Sequence, residues 1–198
     1  MPDRATTPTP HLVLASTSPR RLALVGRLGI EPARVAAPEI DETPRAREIP
    51  RDYALRMAIE KAQAVTRAQG DVILAGDTTI ALGRSVLPPA ETETVQRDLL
   101  SRLSGRRHHC LSAICVIDTA GKVRTRIVDT IVAFKPLSAA EIDAYVACGE
   151  GLGKAGGYAI QGRAEAFVRF LSGSHSGVIG LPLFETRALL KSAGLSLG

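Results

Sequence analysis

The feature that most constrains the fold is a short apolar segment that leads through a polar turn into an amphipathic helix. Residues His11–Ala15 have the apolar character of a buried strand, and four apolar residues between positions 22 and 28 follow at helical spacing. Ser18 is a good N-cap, and Pro19 falls at the first helical position, where its missing N–H costs nothing. A strand followed directly by a capped helix predicts an α/β fold.

The same alternation continues along the chain. Further helices are predicted over residues 50–69, 93–103, 139–147 and 183–193, and further strands over residues 71–82, 111–117, 123–134 and 166–171. The 198 residues contain no internal repeat and no low-complexity linker. We therefore predict residues 1–10 as a flexible tail and residues 11–198 as a single domain with two lobes.

Composition excludes several classes of protein. With 45% hydrophobic and 23% charged residues, the chain is neither disordered nor collagen-like. The chain has 25 Lys and Arg against 20 Asp and Glu, a modest basic excess that suits a small anionic substrate better than a nucleic-acid duplex. Its seven Tyr and Phe, with no Trp, offer few aromatic rings on which the bases of a single strand could stack. Stable nucleic-acid binding is not expected.

Cysteine usage and apolar runs indicate the compartment. The three cysteines are odd in number and lack a CxxC pair, which argues against a disulfide framework and against a zinc site. No apolar run approaches the ~18 residues that span a bilayer, and the apolar stretch near the N-terminus is too short for a signal peptide. We predict a cytoplasmic protein with no membrane association and with reduced, mostly buried thiols.

The turn between the first strand and the first helix is a candidate phosphate site. It contains Ser16, Arg20 and Arg21 beside the free N–H groups and positive dipole end of the helix. Two guanidinium groups would add forked donors to such a cradle. From this turn alone, a capped helix with two solvated arginines is an equally good interpretation.

Asp77 is a candidate for chemistry because it follows an apolar strand and lies beside Gly76, which permits close approach of a ligand. Strand ends in open α/β sheets face the ligand crevice, and a carboxylate there can hold a divalent cation or accept a proton from water. Glu42 could supply a second acidic ligand and Lys61 a cation for phosphate charge. Taken singly, Asp77 is better explained as a turn cap and the other two as surface residues.

The glycine-rich segment 149–162 is the last candidate. Its glycines allow backbone to approach a ligand, and the Gln161 amide could recognise a base edge through paired donor and acceptor groups. It is not a Walker A loop, since no GK[ST] follows. The adjacent His108 and His109 should point to opposite faces of a strand, one buried and one exposed. Residues 174–176 read Ser-His-Ser without a GxSxG elbow, which disfavours a serine hydrolase.

Taken together, these segments resemble the Maf family of nucleotide pyrophosphatases from position 11 almost to the C-terminus. The resemblance implies an elongated mixed sheet flanked by helices with a deep cleft, similar to the inosine triphosphate pyrophosphatases. It also implies metal-dependent hydrolysis of a nucleoside triphosphate to the monophosphate and pyrophosphate, with Mg²⁺, Mn²⁺ or Co²⁺ as cofactor. The motifs that carry it read LASTSPRR at 14–21, DE at 41–42, EKA at 60–62, GDT at 76–78, LSG at 103–105, KAGGYAIQG at 154–162 and GLPL at 180–183.

The resemblance also implies roles for individual residues. Asp77 would be the proton acceptor, and Glu42 would join it at the metal or the attacking water. The side chains expected around the phosphates are Ser16, Arg21, Lys61 and Lys154. The dTTP/UTP branch of the family carries Arg, Thr and Gln where this chain has Arg20, Thr78 and Gln161, so the chain resembles that branch.

One position departs from the family pattern. Members usually carry a lysine where this chain has Pro89, and Arg84 is the nearest cation that could replace it. The loss leaves open a second function, a nucleotide-binding or cell-division regulatory protein with weak or lost catalysis. The sequence leaves the oligomeric state open as well, a homodimer included.

Overall fold

A mixed β-sheet forms the centre of the computed structural model, which describes residues 9–197. Its strands are β1 (His11–Ala15), β2 (Arg34–Ala36), β3 (Asp71–Leu82), β4 (Ser85–Leu87), β5 (Arg107–Ile117), β6 (Val123–Phe134) and β7 (Val168–Ser172). The strand order is β2-β1-β3-β5-β6-β7, with β4 paired to β3. β1 runs parallel to β2 and β3, and the remaining pairs are antiparallel.

Helices cover both faces of this sheet. They are α1 (Pro19–Gly26), α2 (Pro50–Gln63), α3 (Glu93–Leu103), α4 (Ala139–Ala147), α5 (His175–Ile179) and α6 (Leu183–Ser192), and a 3₁₀ helix covers Arg163–Phe167. The predicted α/β fold, a mixed sheet flanked by helices, is confirmed. Residues 1–8 of the expected tail lie outside the described part of the chain.

α2 lies on one face of the sheet and packs closely against it. Ala54, Ala58 and Ala62 recur every four residues along the buried face of α2, so the helix backbone can approach β3 and β5. The larger core lies on the opposite face and includes leucines of α1, α3 and α6 together with buried Phe134. A sheet that is buried on both faces is a rigid platform for a site at its edge.

A gap in the pairing of β3 creates room for that site. On one edge β3 pairs with β1 as far as Ala75 and with β4 from Ile80, whereas the other edge pairs with β5 throughout this stretch. The four residues between those two partners, 76–79, therefore have one free edge. Asp77 is thus in the middle of β3, not near its end as predicted, but it lies just past the end of the parallel pair.

Several boundaries differ from the sequence prediction. α2 ends at Gln63 instead of residue 69, because the following segment folds back and is held by its contacts with other elements. Within it, Val65 is buried, Arg34 donates to Thr66 O at 2.9 Å, and Asp71 Oδ2 accepts from Ala68 N at 2.8 Å. A helix that continued to residue 69 could not make those contacts.

Two strands also begin elsewhere than predicted. β5 begins at Arg107 instead of residue 111, because its polar first residues pair with β6 from Arg107 onwards and with β3 from His109. The final strand begins at Val168 because the 3₁₀ helix takes up the two residues before it.

Within the described residues, no helix is long and apolar enough to cross a bilayer.

Candidate active site

A cleft that is partly open to solvent lies over the free edge of β3. All the predicted site residues except Ser16 line it: Arg20 and Arg21 from α1, Glu42 from the loop before α2, Lys61 from α2, Asp77 and Thr78 from β3, and Lys154 and Gln161 from the glycine-rich segment. Ser16 lines an adjoining depression that shares Arg21, Glu42 and Lys61 with the cleft. Residues distant in sequence therefore converge on one cavity.

Asp77 forms the centre of a buried charge network. Lys61 Nζ donates to Asp77 Oδ1 and to Glu42 Oε2, both at 2.9 Å. Thr79 Oγ donates to Asp77 Oδ2 at 2.7 Å. Lys61 is 7% exposed and Asp77 6% exposed, so this pair is shielded from solvent, whereas the Glu42 side chain is half exposed. The Asp77 carboxylate is held in one orientation and keeps lone pairs free for a further donor.

Arg21 connects the turn after β1 to the opposite wall of the cleft. Its Nε donates to Gly180 O at 2.9 Å, and its two terminal nitrogens donate to Ser16 Oγ at 3.4 Å and Thr78 Oγ at 3.3 Å. Burial lowers the pKa of Arg21, and the negative charges of Asp77 and Glu42 oppose that shift. The guanidinium is thus fixed within the cleft beside the two carboxylates.

The backbone at Gly76 lies close to the side chains of Arg21 and Leu181. A Cβ atom added there would lie 3.3 Å from the Leu181 side chain and 3.5 Å from Arg21 Nε. The glycine predicted to permit close approach of a ligand lies against Arg21 and Leu181 in this structure.

Arg20 and Lys154 have few partners. Arg20 Nε is buried without a hydrogen bond to any described residue. The pKa of Arg20 is lowered mainly by burial and also by the positive charge of neighbouring Arg21. The pKa of Lys154 is lowered by burial and then by Arg20. Four cationic side chains thus line a cleft that contains two carboxylates among the described residues. Such an excess of positive charge favours an anionic ligand.

Comparison with known proteins shows the family of this chain. A family model described as Maf-like protein matches residues 11–193. The chain belongs to the Maf-like family. It is 68% identical to a protein of Sphingopyxis alaskensis named dTTP/UTP pyrophosphatase, over 96% of this chain and 100% of that protein. A protein of Novosphingobium aromaticivorans with the same name is 57% identical, over 95% and 94% of the two chains.

One solved structure also aligns with this Maf-like chain. It is the crystal structure of a nucleoside-triphosphatase, a dITP/XTP pyrophosphatase, from Mycobacterium abscessus. The match covers 65% of this chain and 74% of that one, with 19% sequence identity and a TM-score of 0.42.

The position of the missing family lysine also lies in the cleft of this Maf-like protein. Pro89 lines it and forms an isolated antiparallel bridge with Ala155, next to Lys154. Arg84, the other cation considered, is exposed in the turn between β3 and β4 and is absent from the cleft lining. Lys154 is therefore the cation that lies beside the Pro89 position.

Two carboxylates are available for a metal ion. Among residues 9–197, no group of three or more His, Cys, Asp and Glu side chains is placed to hold a metal ion. Glu42 and Asp77 each lie 2.9 Å from the ammonium nitrogen of Lys61, so their carboxylates face the same point in the cleft. This donor set fits a magnesium-type ion, which needs one or two protein carboxylates and completes its shell with phosphate oxygens and water.

The structure adds two residues that sequence reasoning gave no role. Thr79 orients Asp77, and the signal for it was its position two residues along the same strand, on the same face. Tyr158 lines the cleft and carries no charge or motif that would have marked it beyond its place in the glycine-rich segment.

The remaining candidates have structural explanations. His108 is fully buried, whereas His109 is partly exposed and pairs with Asp129 at 2.7 Å, which confirms the predicted split. Ser174 caps the short helix α5, where its hydroxyl accepts from Gly177 N. Cys110 and Cys115 are buried and Cys148 is half-buried, and all three are free thiols.

Proposed function

We propose that this Maf-like protein hydrolyses dTTP and UTP to the nucleoside monophosphate and pyrophosphate, in a metal-dependent reaction. The observation that carries the proposal is a buried carboxylate, Asp77, oriented by Lys61 and Thr79 within a cleft whose cations outnumber its carboxylates. The names of relatives at 68% and 57% identity support the same activity.

Asp77 acts as the proton acceptor in this proposal. A water molecule attacks the triphosphate, gives its proton to the Asp77 carboxylate, and the bond between the α- and β-phosphates breaks to release pyrophosphate. Thr79 and Lys61 hold the two carboxylate oxygens, so that the base does not have to reorient during the reaction.

The cationic side chains bind the phosphates. Arg20, Arg21 and Lys154 face the same cleft, and Ser16 positions Arg21 at the helix N-terminus. Fixed donors of this kind stabilise the charge that grows on the departing pyrophosphate. Arg20 Nε, buried without a partner among the described residues, is the donor best placed to gain a bond from an anion.

Glu42 and Asp77 would hold the divalent cation. When bound, that ion supplies charge neutralisation for the phosphate oxygens. Lys61 contacts both carboxylates, so it keeps them close together before the ion binds.

Gln161 and Thr78 recognise the base in this proposal. Gln161 is exposed at the cleft, where its amide is free to pair with a base edge. The Thr78 hydroxyl already donates to Gly180 O at 3.4 Å and accepts from Arg21, so its contribution includes holding Arg21.

A nucleotide panel tests the function. Canonical nucleoside triphosphates are incubated with the protein and Mg²⁺, Mn²⁺ or Co²⁺, and monophosphate and pyrophosphate are measured. Release of both from dTTP and UTP, abolished by a chelator, supports the proposal. Tight binding without turnover would favour the regulatory alternative, for which Pro89 in place of lysine is the supporting observation.

A further inference from the structure

A buried histidine touches the back of the cleft wall. His108 Nε2 lies 2.8 Å from Tyr158 Oη, and neither residue is more than 5% exposed. Tyr158 lines the cleft, whereas His108 lies behind it in the core. The two rings meet edge to face at 5.5 Å, and Phe134 packs against both. The hydrogen bond therefore joins the cleft wall to the first residues of β5.

The residues on either side of Tyr158 are held in the same way. Gln96 Nε2 donates to Gly157 O at 3.1 Å, and Tyr145 Oη accepts from Ala159 N at 3.0 Å. Both bonds are buried, and the two side chains belong to α3 and α4. Three consecutive residues of the glycine-rich segment are thus fixed by polar groups from three separate elements.

Packing leaves this segment little freedom to shift. A Cβ at Gly151 would lie 2.0 Å from Gly157 O and 2.2 Å from Gln96 Nε2. Gly156 has a φ of +69°, and a Cβ there would come within 3.0 Å of the Ile80 side chain. The glycines bring the segment into close contact with the side chains that hold it. Substituting one of those side chains should therefore shift the whole segment.

Burying His108 and Tyr158 as a hydrogen-bonded pair in the core carries a desolvation cost. His108 Nδ1 is buried with no hydrogen bond to any described residue. If His108 donates to Tyr158, the tyrosine hydrogen lacks a described acceptor, and if Tyr158 donates, the proton on Nδ1 lacks one. An apolar residue would avoid that cost. The geometry that the bond imposes on Tyr158 is a better explanation for it than core stability.

We propose that His108 is a positioning residue that fixes, through Tyr158, the segment carrying Lys154 and Gln161. This rests on the proposed function, since these two side chains are the ones assigned there to phosphate and base. Lys154 and Gln161 lie four and three residues from Tyr158, on opposite sides of the anchored triplet. If residues 157–159 shift, Lys154 and Gln161 are both displaced. The substrate then binds more weakly, and the protein discriminates less well between bases.

Two substitutions of His108 separate hydrogen bonding from packing. The amide nitrogen of His108→Gln can take the place of Nε2, whereas the shorter His108→Asn cannot reach Tyr158. We expect His108→Asn to lower the dTTP-to-GTP ratio of kcat/KM by about fivefold or more, mainly through KM for dTTP. Hydrogen exchange of the amides in 154–162 should accelerate in the same variant. His108→Gln should restore both quantities to within about twofold of the parent.

Val132→Ala is the matched control, since Val132 pairs with His108 across β5 and β6 and is equally buried. It should lower Tm but change neither the base ratio nor exchange in 154–162. The proposal is overturned if His108→Asn leaves that exchange unchanged, or if its effects equal those of Val132→Ala or are not restored by His108→Gln. A parent that turns over no nucleotide would refute the proposed function instead, and the exchange experiment would still decide the positioning role.

Discussion

Asp77 is the side chain whose change should damage turnover most. Asp77→Asn keeps the shape but removes the base and its negative charge, so kcat on dTTP should fall by about 10²–10⁴-fold. Steady-state kinetics, with circular dichroism to verify the fold, measure this. Asp129→Asn makes the same chemical change at a partly exposed position of β6 and should leave kcat unaltered. Near-normal turnover in Asp77→Asn would remove Asp77 from the mechanism.

Gln161 should govern the choice of base. A hydrogen bond lost from a base edge leaves its partner unpaired, at about 1–3 kcal/mol. We therefore expect Gln161→Ala to reduce the preference for dTTP over GTP, measured as the ratio of kcat/KM values. An unchanged ratio would mean that base recognition lies elsewhere in the cleft.

His108 should make stability depend on pH. Burial, and secondarily the neighbouring His109, lower its pKa from 6.5 to about 4, and the Tyr158 hydroxyl it faces has a pKa raised by burial. The unfolded chain therefore binds the proton first, and the free energy of unfolding should fall by up to about 3 kcal/mol as pH drops from 6.5 to 4. Urea unfolding at pH 7 and pH 5 measures this. His108→Gln should flatten the dependence, and identical slopes in both proteins would contradict the assignment.

Some of the residues that line or support the cleft could be selected from the sequence, and others could not. The residues that the cleft brings together could be selected from the sequence because several motifs occur in the order typical of the Maf family; singly, most were explained equally well or better as caps or surface residues. Thr79 and His108 were not assigned roles, because each acts through a partner, Asp77 or Tyr158, that only the folded chain brings within reach.

At the scale of elements, the loop containing Pro89 offers the sharpest test. Its bridge to the glycine-rich segment uses Ala90 N and Gly156 N as donors, so no hydrogen bond depends on the residue at position 89 having an N–H. Pro89→Lys can therefore keep the backbone and add a cation to the cleft. We expect kcat on dTTP to rise by about tenfold, equivalent to roughly 1.4 kcal/mol.

Arg84→Ala is the companion variant, because Arg84 lies outside the cleft lining and should be dispensable. Kinetics on both variants beside the parent decide the point. A neutral Pro89→Lys would mean that Lys154 and Arg20 already supply the required charge, and a damaging Arg84→Ala would show that the turn between β3 and β4 reaches the substrate.

The elements themselves were largely predictable. Helices with an N-cap and a glycine stop, such as α3 and α4, were located correctly because the signals are local. α2 and β5 were not bounded correctly, since Val65 and the polar start of β5 are placed by contacts with other elements. Local patterns cannot register such contacts.

For the molecule as a whole, the gap on the edge of β3 is the feature that makes a site. Pairing of β3 with β1 stops at Ala75 and pairing with β4 begins at Ile80, which frees one side of the strand at Asp77 and Thr78. α1 and α2 then bring Arg21 and Lys61 to the opening from either side. The sequence could not predict this gap, because it results from the register of strands that are distant along the chain.

This cleft is proposed to cleave a pyrimidine nucleoside triphosphate between its α- and β-phosphates. The most direct measurement is the product spectrum from dTTP with Mg²⁺, resolved by anion-exchange chromatography. Thymidine monophosphate and pyrophosphate in equal amounts are the predicted result. Thymidine diphosphate with orthophosphate as the main products would contradict the account.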